Sequence, residues 1–181
     1  MRAPKNKRVV VTRILLLEDN LEHAQLIEET LLEGLHGISV KVVSSLAAAL
    51  KEISAASRPY DLILTDYLLA NSSGTTLVKR IKKEIPEIPL IVITGRGNER
   101  IAAEVIKLGA EDYVVKSRDS LKALPRIIQR TLVKRKRSNM EELKSLVFKI
   151  IRLSRENKKA PQITRLLTQL KKLTQIWSRS T

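Results

Sequence analysis

The chain has 181 residues, of which 43% are hydrophobic and 3% aromatic, so it can form an aliphatic core of ordinary size. It contains no cysteine, which excludes a disulfide framework and a thiolate metal site. No apolar run approaches the ~20 residues of a membrane-spanning helix. The basic N-terminus lacks the apolar core of a secretory signal. We therefore expect a cytoplasmic protein.

The net charge of +15 is concentrated at one end of the chain. Residues 1–120 carry 17 Lys and Arg against 16 Asp and Glu, whereas residues 121–181 carry 17 against 3. This asymmetry predicts two parts with different roles.

Five short apolar runs alternate with longer amphipathic segments between residue 9 and about residue 137. The apolar runs lie at 9–19, 38–44, 60–66, 89–95 and 112–116. The helical patterns lie at 20–34, 45–56, 74–85 and 98–109, and a fifth begins near residue 119. Nearly continuous runs of Val, Ile and Leu are typical of parallel strands that are covered on both faces. Strict alternation predicts an α/β fold with a five-stranded, doubly wound parallel sheet.

A basic segment with two further helical patterns follows. Ser138 and Glu141 form a capping box, which predicts that a helix begins there. A polar break ends at Pro161, which predicts the start of the next helix. Apolar residues at helical spacing are Met140, Leu143, Leu146, Val147, Ile150 and Ile151, then Ile163, Leu166, Leu167, Leu170, Leu173 and Trp177. Two antiparallel helices with facing apolar stripes are the simplest interpretation.

Polar side chains stand at the carboxyl ends of four predicted strands. Glu18 and Asp19 follow the first strand, Asp66 the third, Thr94 the fourth and Lys116 the fifth. Ligands of open parallel sheets bind at this edge. Three clustered carboxylates repel one another unless a cation lies among them, and oxygen ligands favour Mg²⁺. With the metal bound, one carboxylate could attack a phosphoryl donor, while a hydroxyl and an ammonium stabilise the transferred group.

The segments ILLLEDN, DLILTDYLLANSSG, LIVITG and DYVVK resemble the signature segments of bacterial response-regulator receiver domains, such as chemotaxis regulators. The resemblance covers residues 12 to about 137 and implies a flavodoxin-like sheet of strand order 2-1-3-4-5. It identifies Asp66 as the phosphoacceptor. It further implies that Glu18, Asp19, Asp66 and the backbone carbonyl of Leu68 bind Mg²⁺.

The same resemblance assigns roles to three residues on the fourth and fifth strands. Thr94 matches the hydroxyl that moves onto the phosphoryl group, and Lys116 matches the lysine that pairs with it. Tyr113 matches the aromatic switch residue that turns inward when the hydroxyl moves. Ser117 stands where the family usually has proline, so the sequence leaves the geometry of the Lys116–Ser117 bond open.

We expect three segments: a basic tail at 1–11, a receiver domain at 12–137 and a basic helical extension at 138–181. The extension could pack only against itself or a second copy, bind nucleic acid through its Lys and Arg, or dock on an acidic protein or membrane surface. No helix-turn-helix or zinc signature supports nucleic-acid binding, which is therefore not favoured. A homodimer through the C-terminal helices would bury their apolar stripes.

The function expected from the sequence is a two-component phospho-switch rather than an enzyme. Its phosphoryl donor would be a sensor histidine kinase or a phosphotransfer protein. The alternatives are a DNA-binding transcription regulator whose output is the basic helices, and a phosphorylation-independent scaffold. His23 and His36 have no partner motif, so we expect both at the surface.

Overall fold

A computed structural model describes residues 11–56, 59–69, 74–95, 97, 99–155 and 160–179. The side chains of residues 155 and 176–179 are not described. The chain divides into two compact units, Met1–Thr131 and Leu132–Thr181, which we describe separately.

The first unit contains one five-stranded sheet. Its strands are β1 (Thr12–Leu17), β2 (Ile38–Val43), β3 (Leu62–Asp66), β4 (Leu90–Thr94) and β5 (Asp112–Val115). All neighbouring pairs are parallel, and the strand order is β2-β1-β3-β4-β5. The predicted fold class and strand order are therefore confirmed.

Helices follow the strands in alternation. They are α1 (Leu21–Gly34), α2 (Leu46–Ala55), α3 (Gly74–Glu84), α4 (Glu99–Lys107), α5 (Arg118–Arg155) and α6 (Ala160–Arg179). The first four, and the beginning of α5, lie in the first unit.

Burial explains why the central strands are continuous apolar runs. Every residue of β3 and β4 is buried, as are the last four of β1. Strand β2 lies at one edge of the sheet and alternates instead: Ser39 and Lys41 are exposed between half-buried neighbours. Helices complete the core with apolar residues at helical spacing, for example Ala24, Ile27 and Leu31 of α1 and Leu77, Val78 and Ile81 of α3.

One tyrosine is held at the edge of this core by two charged side chains. The Tyr60 hydroxyl donates to Glu52 Oε1 at 2.7 Å, and the Arg13 guanidinium lies 4.3 Å from the centre of the Tyr60 ring. Burial and the bond to Glu52 raise the pKa of Tyr60 to about 12.

Helix α1 begins directly beyond the end of β1, which places its first turn on the ligand-binding edge of the sheet. The Asn20 side chain caps the helix by accepting from the His23 backbone N–H at 3.0 Å. The Glu18 carboxylate accepts from the Asn20 N–H at 3.2 Å. These bonds fix the backbone between Glu18 and His23, so both side chains are set at the same edge.

At its other end, α1 packs closely against α5. A Cβ at Gly34 would overlap the ring of Pro125, so this position requires a residue without a side chain. Pro125 lies within α5, where its missing N–H removes one helical hydrogen bond, and α5 nevertheless continues.

The second unit corrects one prediction. A helix was expected to begin at Ser138, but Ser138 is an exposed residue inside α5, and its capping-box pattern caps nothing. The segment from Arg126 to Arg155 contains neither glycine nor proline, so the helix that follows β5 has no reason to stop. The predicted boundary at residue 137 also falls inside this helix and stays a prediction.

The two C-terminal helices each bury one narrow side. The less exposed residues of 141–154 are Leu143, Leu146, Ile150 and Leu153, and those of 160–175 are Ile163, Leu166, Leu170 and Leu173. Both sets follow a three-four-three spacing, as expected for helices that are covered along one side. The predicted stripe was too wide, because Val147, Ile151 and Leu167 are 38%, 45% and 42% exposed. Trp177 lies outside the described side chains.

Candidate functional site

Three carboxylates meet where β1 and β3 end. Glu18 and Asp19 follow the last residue of β1, and Asp66 is the last residue of β3. One carboxylate oxygen from each lies within 4.8 Å of the others. Glu18 is 2% exposed and Asp66 7% exposed, so two of the three charges are largely withdrawn from water. Such a cluster requires compensating positive charge.

Lys116 supplies that charge from the end of β5. Its Nζ donates to Glu18 Oε2 at 2.7 Å and to Asp66 Oδ2 at 2.8 Å, and the side chain is 8% exposed. Its backbone N–H donates to the Thr94 carbonyl at 2.6 Å, which aligns the end of β5 with the end of β4. The two bonds from the ammonium to the carboxylates are charge-assisted, and bonds of 2.7 and 2.8 Å between such groups are among the stronger polar contacts in proteins.

Thr94 and Tyr113 lie on neighbouring strands beside this cluster. Thr94 is fully buried at the end of β4, and Tyr113 pairs with Val92 across the sheet. Burial raises the pKa of Tyr113, and the nearby Thr94 hydroxyl lowers it by a smaller amount. A Cβ at Gly97, in the loop after β4, would overlap the Tyr113 hydroxyl. The present position of the Tyr113 ring therefore depends on Gly97.

The predicted site also involves the loops that follow β3 and β5. The Leu68 backbone N–H lies 3.4 Å from Asp66 Oδ1, and the Leu68 side chain is 57% exposed. The Lys116–Ser117 peptide bond, whose geometry the sequence left open, is trans. Part of the loop after β3, at residues 70–73, lies outside the described residues.

One histidine lies at this site although no sequence motif marks it. His23 Nδ1 is 3.3 Å from Lys116 Nζ and 3.7 Å from Glu18 Oε1, and the His23 side chain is 51% exposed. Both His23 and His36 are exposed, as expected, but the contact of His23 with Lys116 was not predicted. The available signal was its position in the first turn of the helix that follows the acidic pair.

The donor set fits a hard divalent cation. Three carboxylates within 4.8 Å offer only oxygen ligands, which is the chemistry that Mg²⁺ and Mn²⁺ accept. The Lys116 ammonium lies against two of these carboxylates, those of Glu18 and Asp66.

Comparison with known families decides the wider identity. The family model described as the response regulator receiver domain matches residues 14–128. The chain belongs to the response-regulator receiver family. Receivers are signalling domains, and the match extends from within β1 to the first third of α5.

Similar proteins include regulators and solved receivers. The methanogenesis regulatory protein FilR1 of Methanothrix harundinacea is 38% identical over 123 residues, which cover 67% of this chain and 27% of FilR1. The phosphorylated cyanobacterial phytochrome response regulator RcpA is 25% identical with a TM-score of 0.59, covering 67% of this chain and 94% of RcpA. The Mn²⁺-bound form of the response regulator Rcp1 is 26% identical with a TM-score of 0.56, covering 64% of this chain and 91% of Rcp1.

These comparisons concern the receiver and not the whole of the longer relatives. The chain spans about a quarter of the length of the curated relatives it matches. Within the described residues, no helix combines the length and apolar character needed to cross a membrane.

Proposed function

We propose that this receiver accepts a phosphoryl group on Asp66 and thereby switches a signalling state. The observation that carries the proposal is the Lys116 ammonium, held between Asp66 and Glu18 at 2.8 and 2.7 Å among three clustered carboxylates. An ion-pair network that served stability alone would gain nothing from a third carboxylate at the same place, since like charges repel. RcpA, a similar protein, is phosphorylated.

The chemistry follows from the arrangement. An Asp66 oxygen attacks the phosphorus of an anionic donor, a P–O acyl phosphate bond forms, and the donor's bond to phosphorus breaks with its electron pair leaving on the donor. Lys116 neutralises charge on the phosphoryl oxygens, and the Thr94 hydroxyl can donate to one of them. Glu18, Asp19, Asp66 and the Leu68 carbonyl would hold Mg²⁺, which supplies the charge that lets the two anions approach.

The proposed donor is a sensor histidine kinase or a phosphotransfer protein in the cytoplasm. A small anhydride such as acetyl phosphate can replace it in a test, because the receiver supplies the nucleophile and the charge stabilisation itself. Rcp1, another similar protein, has been seen with Mn²⁺, which supports a requirement for a divalent cation.

The test is labelling by acetyl phosphate in Mg²⁺, followed by intact mass. Asp66→Asn keeps the shape of the side chain but removes the nucleophile, so the added phosphoryl mass should disappear. Asp119→Asn, an exposed change on α5, is the matched control and should label like the original protein. Equal labelling of the Asp66 variant would refute the site. If neither protein labels nor binds beryllofluoride with Mg²⁺, a phosphorylation-independent scaffold becomes the better account.

We also propose that the C-terminal helices join two copies of the chain. Of the less exposed residues along the two helices, all but Leu153 remain partly exposed, and Val147, Phe148 and Ile151 are exposed beside them, Phe148 by 74%. These three side chains form a continuous apolar side of α5, which a second pair of helices would cover. The positive charge of the extension opposes assembly, but salt screens exposed charges beyond ~8 Å.

Light scattering of the full chain tests the dimer. Val147→Glu with Ile151→Glu should convert a dimer into a monomer, whereas Ser145→Glu, an exposed change on the polar side of α5, should not. A chain ending at Arg137 should also be monomeric. A full-length monomer at tens of micromolar, or a dimer that survives these changes, would refute the assignment.

Nucleic-acid binding is the second candidate for the extension. Lys134, Arg137, Lys144 and Arg152 are exposed on one side of α5. Phosphate contacts from such residues give affinity that falls steeply with salt. A salt-dependent mobility shift of random duplex DNA by the full chain would favour this role, and its absence at low salt would exclude it.

A further inference from the structure

Lys116 has more contacts at the site than the two carboxylates. An ammonium carries three N–H donors and no acceptor. Two of them serve Glu18 Oε2 and Asp66 Oδ2, and His23 Nδ1 lies 3.3 Å from the same nitrogen. The three partners come from the residue that follows β1, from the end of β3 and from the first turn of α1, so three separate parts of the fold restrain the ammonium.

The chemistry of the contact decides which way the hydrogen bond runs. Because Lys116 can only donate, His23 Nδ1 must accept, which requires the neutral ring with its proton on Nε2. A ring with a proton on Nδ1 would instead point that N–H at an ammonium or at Glu18 Oε1. The Glu18 oxygen is 3.7 Å away, which is beyond hydrogen-bond reach.

We propose that His23 is a positioning residue for phosphorylation: by accepting the third N–H of Lys116 it holds the ammonium at the place where the phosphoryl group arrives. The proposal rests on the function proposed for Asp66. It extends that function, because the capped start of α1, and not only the strand ends, then takes part in organising the site.

The position of His23 is better suited to holding the Lys116 ammonium than to packing in the hydrophobic core. The Asn20 cap bonds to its backbone N–H at 3.0 Å and fixes where the side chain starts. The ring is half-exposed, so it contributes little to the core, and its Nδ1 lies within 4 Å of both Lys116 Nζ and Glu18 Oε1. A lysine side chain can turn about four bonds, so an anchored third acceptor adds to the restraint that Glu18 and Asp66 already impose.

The expected effect is moderate, because the ammonium keeps two carboxylate partners when His23 is lost. One ordinary hydrogen bond corresponds to a change of roughly two- to tenfold. We therefore expect His23→Leu to slow phosphorylation by acetyl phosphate about three- to tenfold. Mg²⁺ affinity should change less than twofold, roughly, because the metal-binding oxygens are untouched.

His23→Asn supplies the rescue that separates positioning from packing. The Asn side-chain oxygen can occupy nearly the place of Nδ1 and accept the same N–H, although it fills much less space than the ring. It should therefore phosphorylate at nearly the original rate, while His23→Leu, which is closer in volume, should not. His36→Leu, at an exposed histidine on the same protein, is the control for loss of an imidazole.

A second readout does not depend on phosphorylation at all. Nuclear magnetic resonance of the ¹⁵N-labelled Lys116 ammonium in metal-free protein reports how fast its protons exchange with water. Exchange should be slow in the original protein and in His23→Asn, and several-fold faster in His23→Leu.

Two results would overturn the proposal: His23→Leu with unchanged ammonium exchange and unchanged labelling, or His23→Asn as impaired as His23→Leu. Failure of the Asp66 assignment would look different. In that case Asp66→Asn would still be labelled, whatever the Lys116 ammonium shows.

Discussion

Replacing Lys116 by methionine should destabilise the metal-free protein strongly, although the change keeps the length of the side chain. Lys116 is 8% exposed and holds two carboxylates at 2.7 and 2.8 Å. After the change, Glu18 and Asp66 would remain buried beside Asp19 with no cation among them. Their mutual repulsion and their lost hydration would both act against folding.

The magnitude follows from this burial. Removing one partner of a buried ion pair costs about 3–5 kcal/mol. Proton uptake sets the upper limit of this cost. Protonating one ordinary carboxyl at neutral pH costs about 4 kcal/mol and removes the repulsion among the remaining carboxylates, so a larger cost would be avoided by protonation. We therefore expect the free energy of unfolding to fall by about 3–4 kcal/mol, a large part of the 5–15 kcal/mol typical of a domain.

Urea unfolding followed by circular dichroism at neutral pH measures the loss, with excess chelator and then with saturating Mg²⁺. A divalent cation among the three carboxylates should reduce the difference in free energy of unfolding between the variant and the original protein. The cation replaces the missing positive charge and stabilises only the folded state. Lys122→Met, at an exposed lysine of α5, is the control and should change the free energy by less than about 0.5 kcal/mol. A Lys116 variant as stable as this control, or one indifferent to Mg²⁺, would refute the account of the site.

Three further predictions concern the acids and the tyrosines. Asp19→Ala should weaken Mg²⁺ binding in a calorimetric titration, yet raise the free energy of unfolding in metal-free buffer because repulsion falls. Gly97→Ala should displace the Tyr113 ring and return its raised pKa towards the ordinary value, as followed by phenolate absorbance. Gly95→Ala, whose Cβ meets nothing within 4 Å, should leave the Tyr113 pKa unchanged. Tyr60, with a folded pKa of about 12 against 10.0 for an ordinary tyrosine, should ionise late. Its contribution to stability should be complete below pH 10.0 and be lost as the pH rises towards about 12, because the unfolded phenol ionises first. Tyr60→Phe should abolish this part of the pH dependence.

The sheet could be predicted because its central strands are continuous apolar runs in the sequence. Every residue of β3 and β4 is buried, so each strand is a run of five residues that are mostly apolar. Such a run can be recognised in the sequence without knowing which strands lie beside it. The polar residues that end these runs, such as Asp66 and Thr94, stand out for the same reason. Their convergence followed from the general rule for parallel sheets.

The helix start that was wrongly predicted and the contact that was not predicted both depend on features that local patterns do not encode. The pattern at Ser138 satisfies the rule for a helix start, but a start also needs the preceding residues to leave the helix, and none of them does. The contact between His23 and Lys116 joins residues 93 positions apart. It depends on how the first turn of α1 is placed above the sheet, and one histidine without a motif carries no such information.

The charged edge of the sheet has a consequence for how this receiver can evolve partners. Lys41 lies in the middle of edge strand β2 and is exposed, opposite Leu15 of β1. A lysine there discourages another chain from adding a strand, because pairing would bury the ammonium against a backbone ladder. Self-association through the β2 edge is thus disfavoured, which favours recruitment of new partners through helices and loops. Those surfaces can change residue by residue while the phosphorylation edge, carried by the central strands, stays intact.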